Sequence, residues 1–162
     1  MLTISERIHD ARTADARLVL PFELRSRSRF RARLVGGEDV GVIFGRGQIL
    51  RGGDLLLSPD GRVIEVVAAA ESVSTVHSAD ARALARAAYH LGNRHVALQI
   101  GAGWLRYSHD HVLDEMLQGL GLTVAVEQAP FEPEAGAYHA DGANGHGREH
   151  SHGNSHPLKH DH

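Results

Sequence analysis

Up to Ala68-Ala69-Ala70 the apolar residues recur at every second position, and beyond it two segments carry them at three- and four-residue spacing. Side chains alternate faces along a strand and return to one helix face roughly every 3.6 residues, so this change of period divides the chain into an all-β part and a mixed part. In the first part Leu18, Leu20, Phe22 and Leu24 share a face from Arg17 to Leu34, with Pro21 on the other face. Proline cannot donate to a ladder, so the segment reads as an edge strand. The alternation continues through Arg25, Arg27, Arg29, Arg31 and Arg33, which in a strand share one face about 7 Å apart. Such a row reads either as a solvated face guarding a sheet edge or as a docking surface for an acidic partner.

Gly36-Gly37 marks a turn, and Val40, Val42, Ile43 and Phe44 a second strand. Gly45-Arg46-Gly47 and Gly52-Gly53-Asp54 bracket a third, centred on Ile49. Neither glycine group precedes a helix or carries the lysine and hydroxyl of a phosphate-binding loop. Leu55-Leu56-Leu57, the turn Ser58-Pro59-Asp60-Gly61 and Val63 to Val67 form a hairpin. Residues 1–70 therefore read as a β domain with no significant helix, suited to holding a peptide or partner and bearing no catalytic constellation.

Past the alanines, Ser72 to His77 reads as a strand and Ala79 to Leu91 as a helix with Ala81, Leu84, Ala85, Ala88 and Leu91 on its stripe. Gly92-Asn93 closes it, with glycine at the left-handed cap position. A strand follows at His95 to Ile100, then a Gly101-Ala102-Gly103 turn and a strand at Trp104 to Tyr107. Ser108 or Asp110 caps a second helix whose stripe is Val112, Leu113, Met116, Leu117 and Leu120, and Gly121 ends it before a strand at Leu122 to Glu127. The order β-α-β-β-α-β is the ferredoxin-like split motif, with one sheet face left open for pairing. Pro130-Phe131-Glu132-Pro133 reads as an extended linker to a tail of Gly, Asn, Ser, Asp and His, too poor in apolar residues to offset the entropy of ordering. The expected fold is thus α+β: an all-β domain over residues 1–70, a ferredoxin-like domain over 71–138 and a disordered histidine-rich tail over 139–162.

Composition narrows the chemistry. A net charge of −3 gives no general attraction to nucleic acid or anionic membrane, and no uncharged apolar run approaches a membrane span. With no apolar leader at the N-terminus, the expected compartment is the cytoplasm. The absence of cysteine excludes disulfides, thiolate metal sites and a cysteine nucleophile. No His-Glu-x-x-His or Ser-His-Asp pattern supports an enzyme. Histidine is the outlier: thirteen residues, seven of them in the last twenty-four positions.

Those seven, His139, His146, His150, His152, His156, His160 and His162, are interspersed, unlike the consecutive run of an expression tag. Imidazole suits nickel, copper and zinc, so such a tether is an adaptable chelator. His95 is a candidate of another kind. No His, Asp, Glu or Cys lies two positions from it, so one chain cannot close a site on it alone; a two-fold axis would bring it to its own copy. His109 and His111 form a His-x-His pair, and Asp114 and Glu115 follow His111 at helical spacing, so a carboxylate could join them. They read either as a satellite metal site or as a surface cluster around a helix cap. His9, His77 and His90 read as structural or surface residues.

Tyr89-His90-Leu91-Gly92-Asn93-Arg94-His95-Val96, Leu105-Arg106-Tyr107, His109 to Met116 and Pro130 to Tyr138 together resemble the UreE family of urease accessory metallochaperones. The N-terminal Arg46-Gly47, Leu50-Arg51, Gly53-Asp54-Leu55 and Asp60-Gly61 are similar to that family's first domain, so the resemblance spans nearly the whole chain. It implies a homodimer with an interface metal ligand at His95 and a secondary ligand pair at His109 and His111. The histidine-rich tail matches in kind only. The resemblance further implies that Ni2+, with Cu2+ or Zn2+ able to substitute in vitro, is delivered to the urease apoprotein through a complex with the urease accessory GTPase. Composition and the missing motifs leave no catalysis, nucleic acid or membrane expected beside it. Nickel storage on the tail is the rival reading.

Overall fold

A computed structural model describes residues 1–136. The chain opens with two three-residue strands that the sequence reading did not identify, β1 (Leu2–Ile4) and β2 (Glu6–Ile8), followed by β3 (Ala16–Leu20). After Pro21 comes a single helical turn, α1 (Phe22–Arg25), then β4 (Arg29–Arg33), β5 (Asp39–Ile43), β6 (Leu55–Leu57) and β7 (Val63–Ala68). These strands form two sheets, ordered β1-β5-β4 and β2-β6-β7-β3, with the expected β6-β7 hairpin inside the second. Between them lies a core of Ile4, Leu18, Leu20, Phe30, Val40, Val42, Leu50, Leu56, Ile64 and Val66, each less than a tenth exposed. No strand forms around Ile49.

The helical turn overturns the reading of one long strand from Arg17 to Leu34. It shifts the alternation, and Arg25 leaves the arginine row for the interior, where it is 0% exposed. Arg27 pairs with Glu23 and Arg33 with Asp39, so the row on β4 consists of exposed Arg29, Arg31 and Arg33 on an edge strand.

The second part comprises β8 (Ala70–His77), α2 (Ala81–Asn93), β9 (Gln99–Gly101), β10 (Trp104–Ser108), α3 (His111–Gly119) and β11 (Val124–Pro130). Its antiparallel sheet is ordered β11-β8-β10-β9, so the first strand of the motif pairs with the third and the fourth, as the split arrangement expects. Both helices cover the face bearing Val76, Leu105 and Tyr107, and their own contributions are Ala87, Leu91, Leu113 and Leu117. The α2 stripe is therefore rotated from the expected one: Ala81 and Ala85 are exposed, and Ala83 and Ala87 face inward. Across the other face runs a polar ladder, in which Thr75 donates to Glu127 at 2.8 Å and Arg106 reaches Thr75, Glu127 and the Trp104 ring.

Pro130 to Pro133 is no linker. β11 extends to Pro130, and Phe131 is 1% exposed, edge-on to Phe22 of the first part. The Arg25 guanidinium donates to the carbonyls of Leu20, Leu50 and Phe131 and pairs with the Glu132 carboxylate. Burying a guanidinium is tolerable only with such complete pairing, because an unmatched ion in the interior costs several kcal/mol, on the order of 3–5 when one partner is removed. Glu132 Oε2 also accepts from the Gly52 amide, and the amides of Glu132 and Glu134 donate to Gln99 Oε1 and Leu98 O. The segment after β11 is thus sewn to both parts. No helix among the described residues is long and apolar enough to cross a membrane.

Candidate metal centre

His95 owes its position to the way α2 ends. Asp80 starts the helix, its side chain accepting from the amides of Arg82 and Ala83. Alanine, leucine and arginine carry it through Gly92 and Asn93, two residues beyond the expected stop. Arg94 is the C-cap; then the His95 amide donates to Gly92 O at 3.0 Å and the Val96 amide to Leu91 O at 3.3 Å. This pair of bonds is the Schellman motif, and its first residue past the cap must turn left-handed. That residue is His95, at φ 57°, the single non-glycine residue with positive φ among those described. The expected strand from His95 to Ile100 accordingly shrinks to β9, and Gly92 is not the left-handed residue.

A left-handed residue with a Cβ is disfavoured by about 1–2 kcal/mol, and glycine would relieve it. The imidazole placed there is exposed, at the end of a helix and before the edge strand of the sheet. Large apolar side chains on the flanking elements are uncovered as well: Tyr89 of α2 is 65% exposed and Ile100 of β9 53%.

The second pair of histidines brackets the start of α3. Asp110, not Ser108, is the cap, accepting from the amides of Val112 and Leu113. His109 lies before it, where its amide donates to Ser72 O and its Nδ1 stands 3.1 Å from both Ser74 Oγ and Asp114 Oδ2. His111 is the first helical residue and exposed. Asp114, one of the two carboxylates whose spacing could bring it to His111, instead turns inward: it is 7% exposed, and its Oδ1 accepts from the Tyr107 hydroxyl at 2.5 Å. Burial and then the Asp114 carboxylate raise the Tyr107 hydroxyl pKa well above the usual phenol range, so it stays a donor. Sequence reasoning missed Tyr107 and Ser74 as partners of this site; their signal was the strand alternation that places both on the helix-covered face.

Among the described residues no three His, Cys, Asp or Glu side chains converge into a ready-made metal cluster. His95 and the His109–His111 pair are therefore separate, incomplete donor sets. His90 stacks edge-on with Tyr89, and His77 lies beside Trp104. His139, His146, His150, His152, His156, His160 and His162 lie outside the described residues.

Family comparisons account for almost all of the sequence. Residues 3–69 match the model of the UreE urease accessory protein N-terminal domain, and residues 71–162 that of its C-terminal domain. A urease accessory protein UreE of Alkalilimnicola ehrlichii is 65% identical over 138 residues, 85% of either chain. One from Nitrosospira multiformis is 51% identical over 161 residues, covering 98% of this chain and 92% of its own. Another, from an Enterobacter species, is 53% identical over 142 residues, 87% of this chain and 93% of its own.

Proposed function

Since the chain belongs to the UreE family of urease accessory proteins, we propose that it is a cytoplasmic nickel-binding metallochaperone that delivers Ni2+ to the urease apoprotein during active-site assembly. The observation that carries this reading is His95, an exposed imidazole held in a backbone conformation that glycine would adopt without strain. Residues kept in disfavoured conformations gather at functional sites, where the surrounding structure holds them in place.

One imidazole is a weak hold on a metal, so the proposal pairs His95 with its copy across a homodimer, and the uncovered Tyr89 and Ile100 suit such an interface. Tail histidines, from His139 onward, complete the coordination and leave during transfer; His109 and His111 form a second site. A nitrogen-rich set without thiolates binds firmly yet exchanges ligands, and protons compete for each nitrogen, both of which favour delivery over permanent storage. Ligand type alone would rank copper above nickel, so the choice of nickel as the cargo is supported by family membership and not by the ligands. Transfer runs through a complex with the urease accessory GTPase and the urease apoprotein.

The test is nickel stoichiometry by calorimetry, with mass-resolved chromatography, on the full chain and on His95→Ala. One tight nickel per dimer that disappears on substitution supports the interface site. Unchanged tight binding in His95→Ala would move the chemistry to the tail and make nickel buffering the better reading.

A further inference from the structure

The two histidines of the second pair are held in unlike ways. His111 makes no side-chain hydrogen bond among the described residues, whereas His109 Nδ1 hydrogen-bonds with Ser74 Oγ and stands 3.1 Å from the Asp114 Oδ2 carboxylate oxygen. A bare ring nitrogen so close to a carboxylate oxygen would set lone pair against lone pair, so Nδ1 carries the ring proton, with Ser74 Oγ able to accept it, and the lone pair of the neutral ring belongs to Nε2. Nε2 makes no hydrogen bond among the described residues, and 37% of the side chain remains exposed. The orienting carboxylate is itself fixed: Asp114 is buried and its other oxygen holds the hydroxyl of fully buried Tyr107.

Metal-bound histidines commonly donate their second ring N–H to a carboxylate, which sets the tautomer and the ring orientation. We propose that Asp114, braced by Tyr107, is a positioning residue that presents Nε2 of His109 as a preset metal ligand, leaving His111 as the exchangeable donor of that site. The inference rests on the reading of His109 and His111 as metal ligands. A purely structural role for the Asp114–Tyr107 bond would need neither the His109 contact nor a defined tautomer.

The experiment uses the full-length chain labelled with 15N-histidine, long-range 1H–15N correlation to read each tautomer, and Zn2+ as a diamagnetic probe. In the wild type His109 is expected to carry its proton on Nδ1 and to bind zinc through Nε2. In Asp114→Asn the single amide oxygen is taken by Tyr107, so the NH2 group faces Nδ1 and requires its lone pair. The tautomer should then reverse, and zinc affinity read on the His109 resonance should fall about 10–100-fold while the His95 response is unchanged. Tyr107→Phe, which leaves the carboxylate in place, should give a smaller fall and serves if the first variant does not fold.

A wild-type His109 protonated on Nε2 would overturn the proposal, as would Asp114→Asn binding zinc at His109 with wild-type affinity. If zinc perturbs neither His109 nor His111 while the tautomer still reverses, the ligand reading of the pair fails and takes the metal role of Asp114 with it. The control of His109 by Asp114 would then stand as a separate result.

Discussion

The ends of α2 and α3 are the same piece of backbone carrying different residues. After α3, Leu120 is the cap, the Gly121 amide donates to Gln118 O and the Leu122 amide to Leu117 O, and Gly121 turns left-handed at φ 87°. After α2 the same bonds are made by His95 and Val96. Each motif also places two apolar residues five positions apart in the shared core, Leu91 with Val96 and Leu117 with Leu122. The α3 end has the residue that local sterics favour; the α2 end has an imidazole. Local stability therefore does not explain His95, which is the contrast on which its proposed metal role rests.

Four measurements on three substitutions test that contrast. The largest effect is expected from His95→Gly on metal binding: nickel affinity at the proposed dimer site, followed by calorimetry, should drop by more than the ~10–100-fold that loss of a supporting group costs. Next comes Gly121→His. A Cβ there meets nothing within 4 Å, so only the backbone is strained, and chemical denaturation should report a loss of about 1–2 kcal/mol. Third, His95→Gly in the metal-free protein should gain up to about 1 kcal/mol, a rise in Tm of about 2–4 °C for a chain of this size. The same variant thus loses function while gaining stability; an apo protein destabilised by His95→Gly would end the argument that the position is strained. Smallest is His95→Asn, in which an amide that tolerates the left-handed region should shift apo stability by only a few tenths of a kcal/mol, between histidine and glycine.

Much of this was legible in the sequence, for identifiable reasons. The hairpin of β6 and β7, the β-α-β-β-α-β order, the Asp110 cap and the turn at Gly121 each follow from a local pattern that tertiary packing reinforces. The end of α2 was misplaced because Gly92 drew the helix stop to itself, although glycine permits a left-handed turn without compelling one. The five-residue spacing of Leu91 and Val96, repeated in Leu117 and Leu122, was the better signal, since burial of both residues fixes where the chain must reverse. Arg25 was misread for a related reason: one turn of helix after Pro21 breaks a period-two pattern without leaving a trace in it. Two of its partners, Phe131 and Glu132, lie more than a hundred residues away, and no local window contains them. The asymmetry between His109 and His111 was hidden likewise, because which carboxylate oxygen meets which nitrogen is decided by the packing of α3 on β10.

The buried Arg25 gives the molecule a property that its division into a β part and a mixed part conceals. Cut the chain between the two, and the first fragment keeps a guanidinium in an apolar pit stripped of its counter-ion, while the second carries a phenylalanine ring with no pocket to enter. Each fragment lacks what the other completes, so the parts are modular in sequence and indivisible in energy. They should unfold in a single cooperative step, with the calorimetric and van't Hoff enthalpies in agreement.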